Sequence, residues 1–254
     1  MALNISKNKT KGSGKKAELV APKGYPARVV GIVDLGLHTK IDYKTQKVVG
    51  QQYMIRVTYE LVNEFMKDDD GNDIKDKPRW MSENLPIATA LGYDDAASQP
   101  WYGNCAIVKR VRAITGNLKE ELGDIGEQIL GEACNVLVVH EEKKGKTYAN
   151  IGDVQQDPFS MLGQEAPALV NEAFSLDLGE PDLELFNKQP AFIKDKIFAN
   201  LEFEGSPLAK MLDADDEEDE ADDEVETDEV EEDSTEETSD DESEGDDSDE
   251  DEPW

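Results

Sequence analysis

The last 42 residues of the chain contain no lysine or arginine, yet they hold 28 of its 59 acidic residues. The residues before them carry 31 acidic and 26 basic side chains, so most of the formal net charge of -33 lies in this tail. A block of like charge buries too little apolar surface to offset the entropy of ordering. We therefore predict a disordered acidic tail over residues 213–254.

Cysteine, histidine and long apolar runs are scarce as well. The two cysteines, Cys105 and Cys134, are too few for a disulfide framework, which indicates a reducing compartment. The two histidines, His38 and His140, do not stand at metal-ligand spacing from them. Because no stretch of about 18 apolar residues occurs, no membrane-spanning helix is predicted. We expect a cytoplasmic protein without a metal ion or other cofactor.

Sequences that resemble catalytic motifs fail on spacing. The run GKT at residues 145–147 is typical of a phosphate-binding loop, but the first glycine of that motif would fall at His140. The run DDDGND at residues 68–73 is typical of a calcium loop, but its first and last acidic ligands would be Met66 and Lys77. No nucleophile lies in a recognisable elbow. We predict that the protein is not an enzyme.

The first 23 residues have the opposite charge to the tail. They contain six lysines and one acidic residue, Glu18, with the small residues Gly12, Ser13 and Gly14 between them. This composition predicts a flexible basic arm over residues 1–23. It lacks the apolar segment of a secretory signal.

Two segments after this arm have the pattern of strands. Residues 25–37 are rich in β-branched side chains, and residues 51–62 alternate between apolar and polar positions. We predict a long hairpin with a large tip. On the first strand one face is predicted to hold Ala27, Val29, Gly31, Val33 and Leu35. On the second strand the apolar face is predicted to hold Tyr53, Ile55, Val57, Tyr59 and Leu61, which makes Tyr53 and Tyr59 core residues.

The remaining elements complete a recognisable order. A third strand is followed by helices and then by a second hairpin. The third strand is predicted at residues 79–85 and the helices at 86–91, 104–114 and 124–130. The strands of the second hairpin are predicted at 133–142 and 147–154. Five strands with a helix between the third and the fourth are the order of the OB-fold, a five-stranded Greek-key barrel. We predict a mainly β protein with this fold and a helical insertion over residues 24–158, then a helical extension packed on the barrel over residues 159–212.

The predicted fold suggests where nucleic acid would bind. OB-folds bind oligonucleotides across strands 2 and 3 and through the 1–2 and 4–5 loops, and single strands need cations and aromatic faces. An alternative stays open, because lysines at hairpin tips also discourage edge pairing. Two interpretations also stay open for Lys109, Arg110 and Arg112, which form either a solvated helix face or a contact with nucleic acid. The predicted binding residues are Arg28, Lys40, Tyr43, Lys44, Lys47, Arg56, Lys143, Lys144, Lys146 and Tyr148.

Three stretches carry a resemblance to a known family. They are GYPARVVGIVDLG at 24–36, LGEACNVLVVHEEKKGKTYANIGDVQQDP at 130–158 and PAFIKDKIFANLEF at 190–203. The chain resembles phage-encoded single-stranded DNA-binding proteins with an OB-fold. The resemblance implies coating of single strands during DNA replication, recombination and repair, with little sequence preference, in the host cell cytoplasm. It leaves a homo-oligomer open.

The same resemblance implies that the acidic tail recruits replication or recombination proteins. A tail that mimics phosphate charge is also predicted to compete for the nucleic-acid groove, since a flexible tether keeps it at about millimolar effective concentration. A terminal indole next to a proline adds a large apolar contact at one point, although an accidental tryptophan is the alternative. The predicted partner-binding residues are Asp249, Glu250, Asp251, Glu252, Pro253 and Trp254.

Two other classes of protein compete with this interpretation. One is an acidic-tailed chaperone or scaffold for basic proteins, in which the tail is the active part. The other is a nuclease whose carboxylates bind Mg²⁺, which no cluster of carboxylates on the predicted strands supports. Binding of oligonucleotides after removal of the tail distinguishes the first class from a single-strand binder.

Overall fold

The computed structural model describes residues 18–42, 44–89, 105–116 and 125–222. A compact body ends at Ala214, and a second unit begins at Asp215. The strands are β1 (Gly24–Ile41), β2 (Val48–Lys67), β3 (Asp73–Thr89), β4 (Ala133–Lys143), β5 (Lys146–Gln156) and β6 (Phe174–Leu176). The helices are α1 (Ala106–Thr115), α2 (Ile125–Ile129), α3 (Pro158–Met161), α4 (Leu183–Asn187), α5 (Ala191–Phe198) and α6 (Pro207–Asp222).

The body is built on one mainly antiparallel sheet with the strand order β3-β2-β1-β4-β5. Strand β6 pairs with β1 in parallel. The predicted order of five strands is confirmed, but the closed barrel is wrong. Among the described residues, the two outermost strands β3 and β5 form no backbone pair, so the sheet does not close.

Helix α1 and its Arg110 span the gap between β3 and β5, which no backbone hydrogen bond closes among the described residues. Arg110 of α1 donates from Nε to Glu83 Oε1 on β3 over 2.9 Å and from Nη1 to Asp153 Oδ1 on β5 over 3.0 Å. The side chains of Arg110 and Glu83 are only 12% and 13% exposed. The two edge strands are therefore joined through a side chain, and Arg110 belongs to the fold rather than to a solvated helix face.

The predicted helix at residues 86–91 is wrong in the part that the structure describes. Strand β3 continues to Thr89, and Pro86 lies opposite Met54 of β2. Proline lacks the N–H that a second neighbouring strand would need, so it is tolerated where a strand forms the edge of a sheet. Among the described residues, β3 pairs with β2 alone, which accommodates Pro86.

The first core lies on one face of the sheet, under α1 and α2. The predicted apolar positions of β2 from Ile55 to Leu61 are buried there, and Tyr59 is fully buried. Helix α1 contributes the predicted stripe Ile107, Val108, Val111 and Ile114, which is also buried. Tyr53 is the exception, since it is half-buried and its hydroxyl donates to Glu202 Oε2 over 3.2 Å.

A bulge divides β1 between two cores. The register with β2 shifts between Val29 and Gly31. One extra residue in a strand moves the following side chains to the other face. Ala27, Val29 and Ile32 therefore lie in the first core, whereas Val33 and Leu35 lie in the second core, on the opposite face. The single face predicted for this strand is wrong for that reason.

The second core joins the C-terminal extension to the outer face of the sheet, which we define as the face opposite α1. Its buried members are Val33, Leu35, Met54, Leu176, Leu178, Phe186, Ile193, Ile197 and Leu208. Two glycines of β1 allow this close approach. A Cβ on Gly31 would lie 2.3 Å from the ring of Phe174, and one on Gly36 would lie 2.3 Å from the side chain of Asn200. Gly36 also has a φ of +77°, which disfavours any larger residue.

Part of the predicted basic arm belongs to the body. Of residues 1–23, the structure describes 18–23, and Val20 is 5% exposed in the first core. The carbonyl oxygen of Val20 bonds to the ring of His140, and that of Glu18 accepts from Arg79. The body therefore begins before Gly24. At the other end, residues 213–222 of the predicted tail are helical within α6.

Candidate nucleic-acid interface

Arg56 stands on the outer face of β2, directly opposite Asn84 on β3. Its neighbours Ile55 and Val57 point into the first core, so alternation places Arg56 on the other side. Its Nη1 donates to Asn84 Oδ1 over 3.1 Å. The guanidinium carbon lies 5.3 Å from the ring centroid of Phe192 on α5. Two strands and one helix thus fix the position of this cation.

Arg56 has no anionic partner within the part of the chain that the structure describes. None of the ion pairs there includes it, and its two contacts are a neutral amide and an aromatic ring. Partial burial lowers the pKa of Arg56, with no charged neighbour among the causes. A guanidinium remains protonated in proteins, so this one is a partly desolvated positive charge without a counter-charge. An anion such as phosphate would complete the site.

Two large aromatic side chains lie on the same outer face as this arginine. Phe192 is 59% exposed and Trp80 is 44% exposed. Trp80 is four residues from Asn84 on β3, which at about 3.3 Å per residue places them roughly 13 Å apart. The indole Nε1 of Trp80 donates to Glu60 Oε2 over 3.3 Å, and its ring centroid lies 6.2 Å from that of Phe174. Both aromatic side chains are held in place and still offer free surface.

Arg28, a further predicted nucleic-acid-binding residue, bonds to the backbone of two other segments. Its Nε, Nη1 and Nη2 donate to the carbonyl oxygens of Pro167, Gly131 and Ala166 over 2.6, 2.8 and 2.9 Å. A guanidinium has five N–H donors, and these bonds occupy all three of its nitrogens. Arg28 therefore holds residues 166–167 and Gly131 against β1, and its role in binding nucleic acid stays a prediction.

Glu60 holds the same segment from β2. This carboxylate is 4% exposed, and it accepts from Val170 N over 2.6 Å and from Asn171 Nδ2 over 2.7 Å. It also accepts from the backbone N–H of Asn171 and from Trp80. Four donors explain how a buried carboxylate is tolerated. Trp80 is thereby connected to the extension.

The tip between β1 and β2 presents some of the predicted cations. Lys44 and Lys47 are exposed, Lys40 is half-buried, and Tyr43 lies outside the described residues. Asp42 orders this turn, since its Oδ1 accepts from Thr45 N over 2.7 Å. This bond and those from the Thr45 hydroxyl and Lys44 N lower the pKa of Asp42. The turn is well formed, but no described aromatic side chain accompanies its lysines.

The tip between β4 and β5 is a two-residue turn. Lys144 and Gly145 have φ values of 52° and 72°, as a type I′ turn requires. Lys143 pairs with Glu141 over 2.8 Å, whereas Lys144 and Lys146 are exposed. Tyr148 is 45% exposed, so a stacking face is available there.

The register of the sheet separates the two tips. Residues 133–137 of β4 pair with residues 24–28 of β1, in the antiparallel sense. The β4–β5 tip therefore extends beyond the beginning of β1, whereas the β1–β2 tip lies beyond its end at Ile41. The sheet does not place the two predicted lysine clusters side by side, and neither cluster adjoins Arg56 along the strands.

Three residues of this face were not predicted from the sequence. They are Trp80, Asn84 and Phe192. A signal existed in β3, because Trp80, Ser82 and Asn84 alternate with Met81, Glu83 and Leu85. A tryptophan on the polar side of a strand is a candidate binding residue. Phe192 had no such signal, since only the packing of α5 brings it to Arg56.

Comparison of the chain with protein-family models finds no match, and comparison with curated proteins finds no significant match. Within the described ranges, no three His, Cys, Asp or Glu side chains are grouped so that they could hold a metal ion. None of the described helices is both long and apolar enough to cross a membrane. The predicted partner-binding residues 249–254 lie outside the described part of the chain.

Proposed function

We propose that the protein binds single-stranded DNA on the outer face of β2 and β3. The observation that carries this proposal is the partly buried, uncompensated cation of Arg56, with the exposed ring of Phe192 against it and the exposed ring of Trp80 further along the same face. Single-strand binding without sequence preference requires cations for the phosphates and aromatic faces for the bases. Duplex DNA keeps its bases stacked inside the helix, so this face favours a single strand.

We further infer that the sheet is an opened variant of the OB-fold. In its strand order β1 lies at the centre, with β2 and β3 on one side and β4 and β5 on the other. Helix α1 follows β3 in the chain and fills the gap between β3 and β5, where Arg110 joins them. The outer face of strands 2 and 3 is the surface on which OB-folds bind oligonucleotides. This correspondence supports the choice of face.

Each element of the face has a distinct role in the proposal. Arg56 binds a phosphate, and Asn84 keeps its guanidinium plane in place. Phe192 stacks on one base, and Trp80 stacks on another further along the strand. The exposed lysines Lys44 and Lys47 add charge at one end of the sheet without base contacts.

The acidic tail regulates this activity in the proposal. Its charge excludes weakly bound polyanions from the cationic surface, and a true single strand displaces it. Once displaced, its residues 249–254 recruit proteins of DNA replication, recombination or repair. The setting implied by the family resemblance is the cytoplasm of a phage-infected cell.

Titration of labelled oligonucleotides tests the proposal. The chain should bind single strands of varied sequence at least tenfold more tightly than duplex, and the logarithm of the affinity should fall with log salt at about -0.7 per phosphate contacted. Deleting residues 223–254, which leaves α6 intact, should tighten binding most at low salt. Preference for duplex would overturn the proposal. If the full chain bound basic proteins but no oligonucleotide, it would instead be an acidic chaperone.

A further inference from the structure

A cavity of about 450 Å³ lies beside the proposed binding face. It is bounded by the segment that contains β6 and by helix α4. The lining residues are Glu172, Ala173, Phe174, Ser175, Leu185 and Lys188.

Phe174 connects this cavity with the binding face. Its ring covers the backbone of Gly31, and its centroid lies 6.2 Å from that of Trp80. The same ring lines the cavity. The ring of Phe174 is therefore a neighbour of Trp80 and a wall of the cavity at the same time.

The lining has the mixed chemistry that a nucleobase needs. Phe174 and Leu185 are half-buried apolar groups that can cover the faces of a base. The Ser175 hydroxyl and the Glu172 carboxylate are exposed and can bond to its polar edge. Lys188 is bound to Glu184 over 2.7 Å, and the carboxylates of Asp182 and Glu172 also act on its ammonium, so its charge is already matched within the protein.

We propose that this cavity binds one nucleobase of the strand that crosses the outer face. The proposal rests on the proposed single-strand-binding function and extends it, because it assigns a site to a base beyond Trp80. Phe174 and Leu185 contact the apolar faces of the base, and the Ser175 hydroxyl and the Glu172 carboxylate bind its polar edge. Binding in a cavity of this kind is independent of Arg56 and Phe192.

Filling the cavity tests the proposal. Ser175→Phe places a large ring in it, whereas Asn187→Phe places the same ring on an exposed residue of α4 that does not line it. Affinities are measured with the full chain and a thymidine oligonucleotide of about 16 nucleotides, the upper end of the site size of one OB-fold. We expect Ser175→Phe to lower the affinity about tenfold, as the loss of one buried base should, and Asn187→Phe to leave it unchanged. Ala173→Leu, which fills the cavity from another position, should act as Ser175→Phe does.

A second readout separates the cavity from the stacking face. The fluorescent base 2-aminopurine is introduced at successive positions of the oligonucleotide. At one position, we expect its fluorescence in the complex to differ from that with the wild type when Ser175→Phe is bound, and to equal it when Phe192→Ala is bound. Equal affinity of Ser175→Phe, Ala173→Leu and the wild type, with the effect of Arg56→Met preserved, would overturn the cavity site alone. Absence of binding by the wild type would overturn the proposed function and the cavity site together.

Discussion

Two regions of the sheet each contain one arginine. Arg28 lies where β1 meets residues 166–167, and Arg56 lies where β2 meets α5. The first guanidinium gives all its nitrogens to three backbone carbonyl oxygens. The second has one neutral amide and one ring. Arg28 and Arg56 are the same residue type and both lie on a strand of the sheet, so only the groups that they contact differ.

This difference shows what makes a cation available. An arginine whose donors are filled by the protein stabilises the fold and has little left for a ligand. An arginine that is partly buried without an anion is an unfavourable arrangement for the fold alone, and such arrangements occur where a ligand completes them. Arg110, bound to two carboxylates, belongs to the first kind.

The largest expected effect is on stability, at Arg110. Arg110→Met should lower the free energy of unfolding by about 3–5 kcal/mol, because it removes the counter-charge of Glu83 and leaves this carboxylate only the Tyr59 hydroxyl as donor among the described residues. Urea unfolding measures this, and Lys109→Met on the exposed side of α1 is the control with an expected change below about 0.5 kcal/mol. Oligonucleotide affinity of the folded variant should be unchanged. A stable Arg110→Met protein would show that the gap between β3 and β5 is held by packing alone.

The next largest effect is expected at Arg28, also on stability. Arg28→Lys keeps the charge but cannot reach three carbonyl oxygens, so we expect a loss of about 2 kcal/mol in urea unfolding. Affinity for single strands should stay within twofold of the wild type. If affinity fell while stability was maintained, the contrast between the two arginines would be wrong.

Arg56 should show the reverse pattern. Arg56→Met should weaken single-strand binding about tenfold, the loss of one charge-assisted phosphate contact, and should reduce the salt slope by about 0.7. Stability should change by less than about 1 kcal/mol, because burial of this cation is uncompensated in the free protein. Arg56→Lys is the matched variant, and it should recover the salt slope without the full affinity. Unchanged binding by Arg56→Met would remove Arg56 from the site.

The smallest effect is expected at Asp34, a partly buried charge of the opposite sign to Arg56 that also lacks a counter-charge among the described residues. Burial raises the pKa of Asp34, against the effect of its bond from Gly36 N, so the folded protein binds this proton more tightly than the unfolded chain. Its contribution to stability is therefore present at low pH and is lost as pH rises through the folded pKa. Asp34→Asn should gain stability relative to the wild type between pH 4 and pH 7, by roughly 1 kcal/mol or less. Denaturation at both pH values measures it, and a constant difference would contradict it.

Much of the fold could be predicted, and the reason is local periodicity. The alternation from Ile55 to Leu61 and the helical stripe from Ile107 to Ile114 each depend on one element burying one face. The order of five strands followed from such segments. Pro86 was misread as a helix start because the sequence does not reveal that β3 is an edge strand.

The candidate site could be predicted only in part. Arg56 was predicted because it is a cation on the first hairpin, where alternation places it opposite Ile55 and Val57. Arg28 was predicted in the same way, but the sequence did not reveal its three backbone partners, which lie more than 100 positions away in the chain. Trp80 carried a usable signal in its own strand, whereas Phe192 did not.

By itself, then, the sequence determined the order of β1 to β5, the position of α1 and how charge is divided between body and tail, because these depend on neighbouring residues. Tertiary structure alone decided which face of β1 each side chain occupies, since one bulge after Val29 reverses it. Packing of α5 on the outer face and pairing of β6 with β1 likewise decided that Phe192 meets Arg56 and Phe174 meets Trp80. Those meetings join residues far apart in the chain, so no local pattern encodes them.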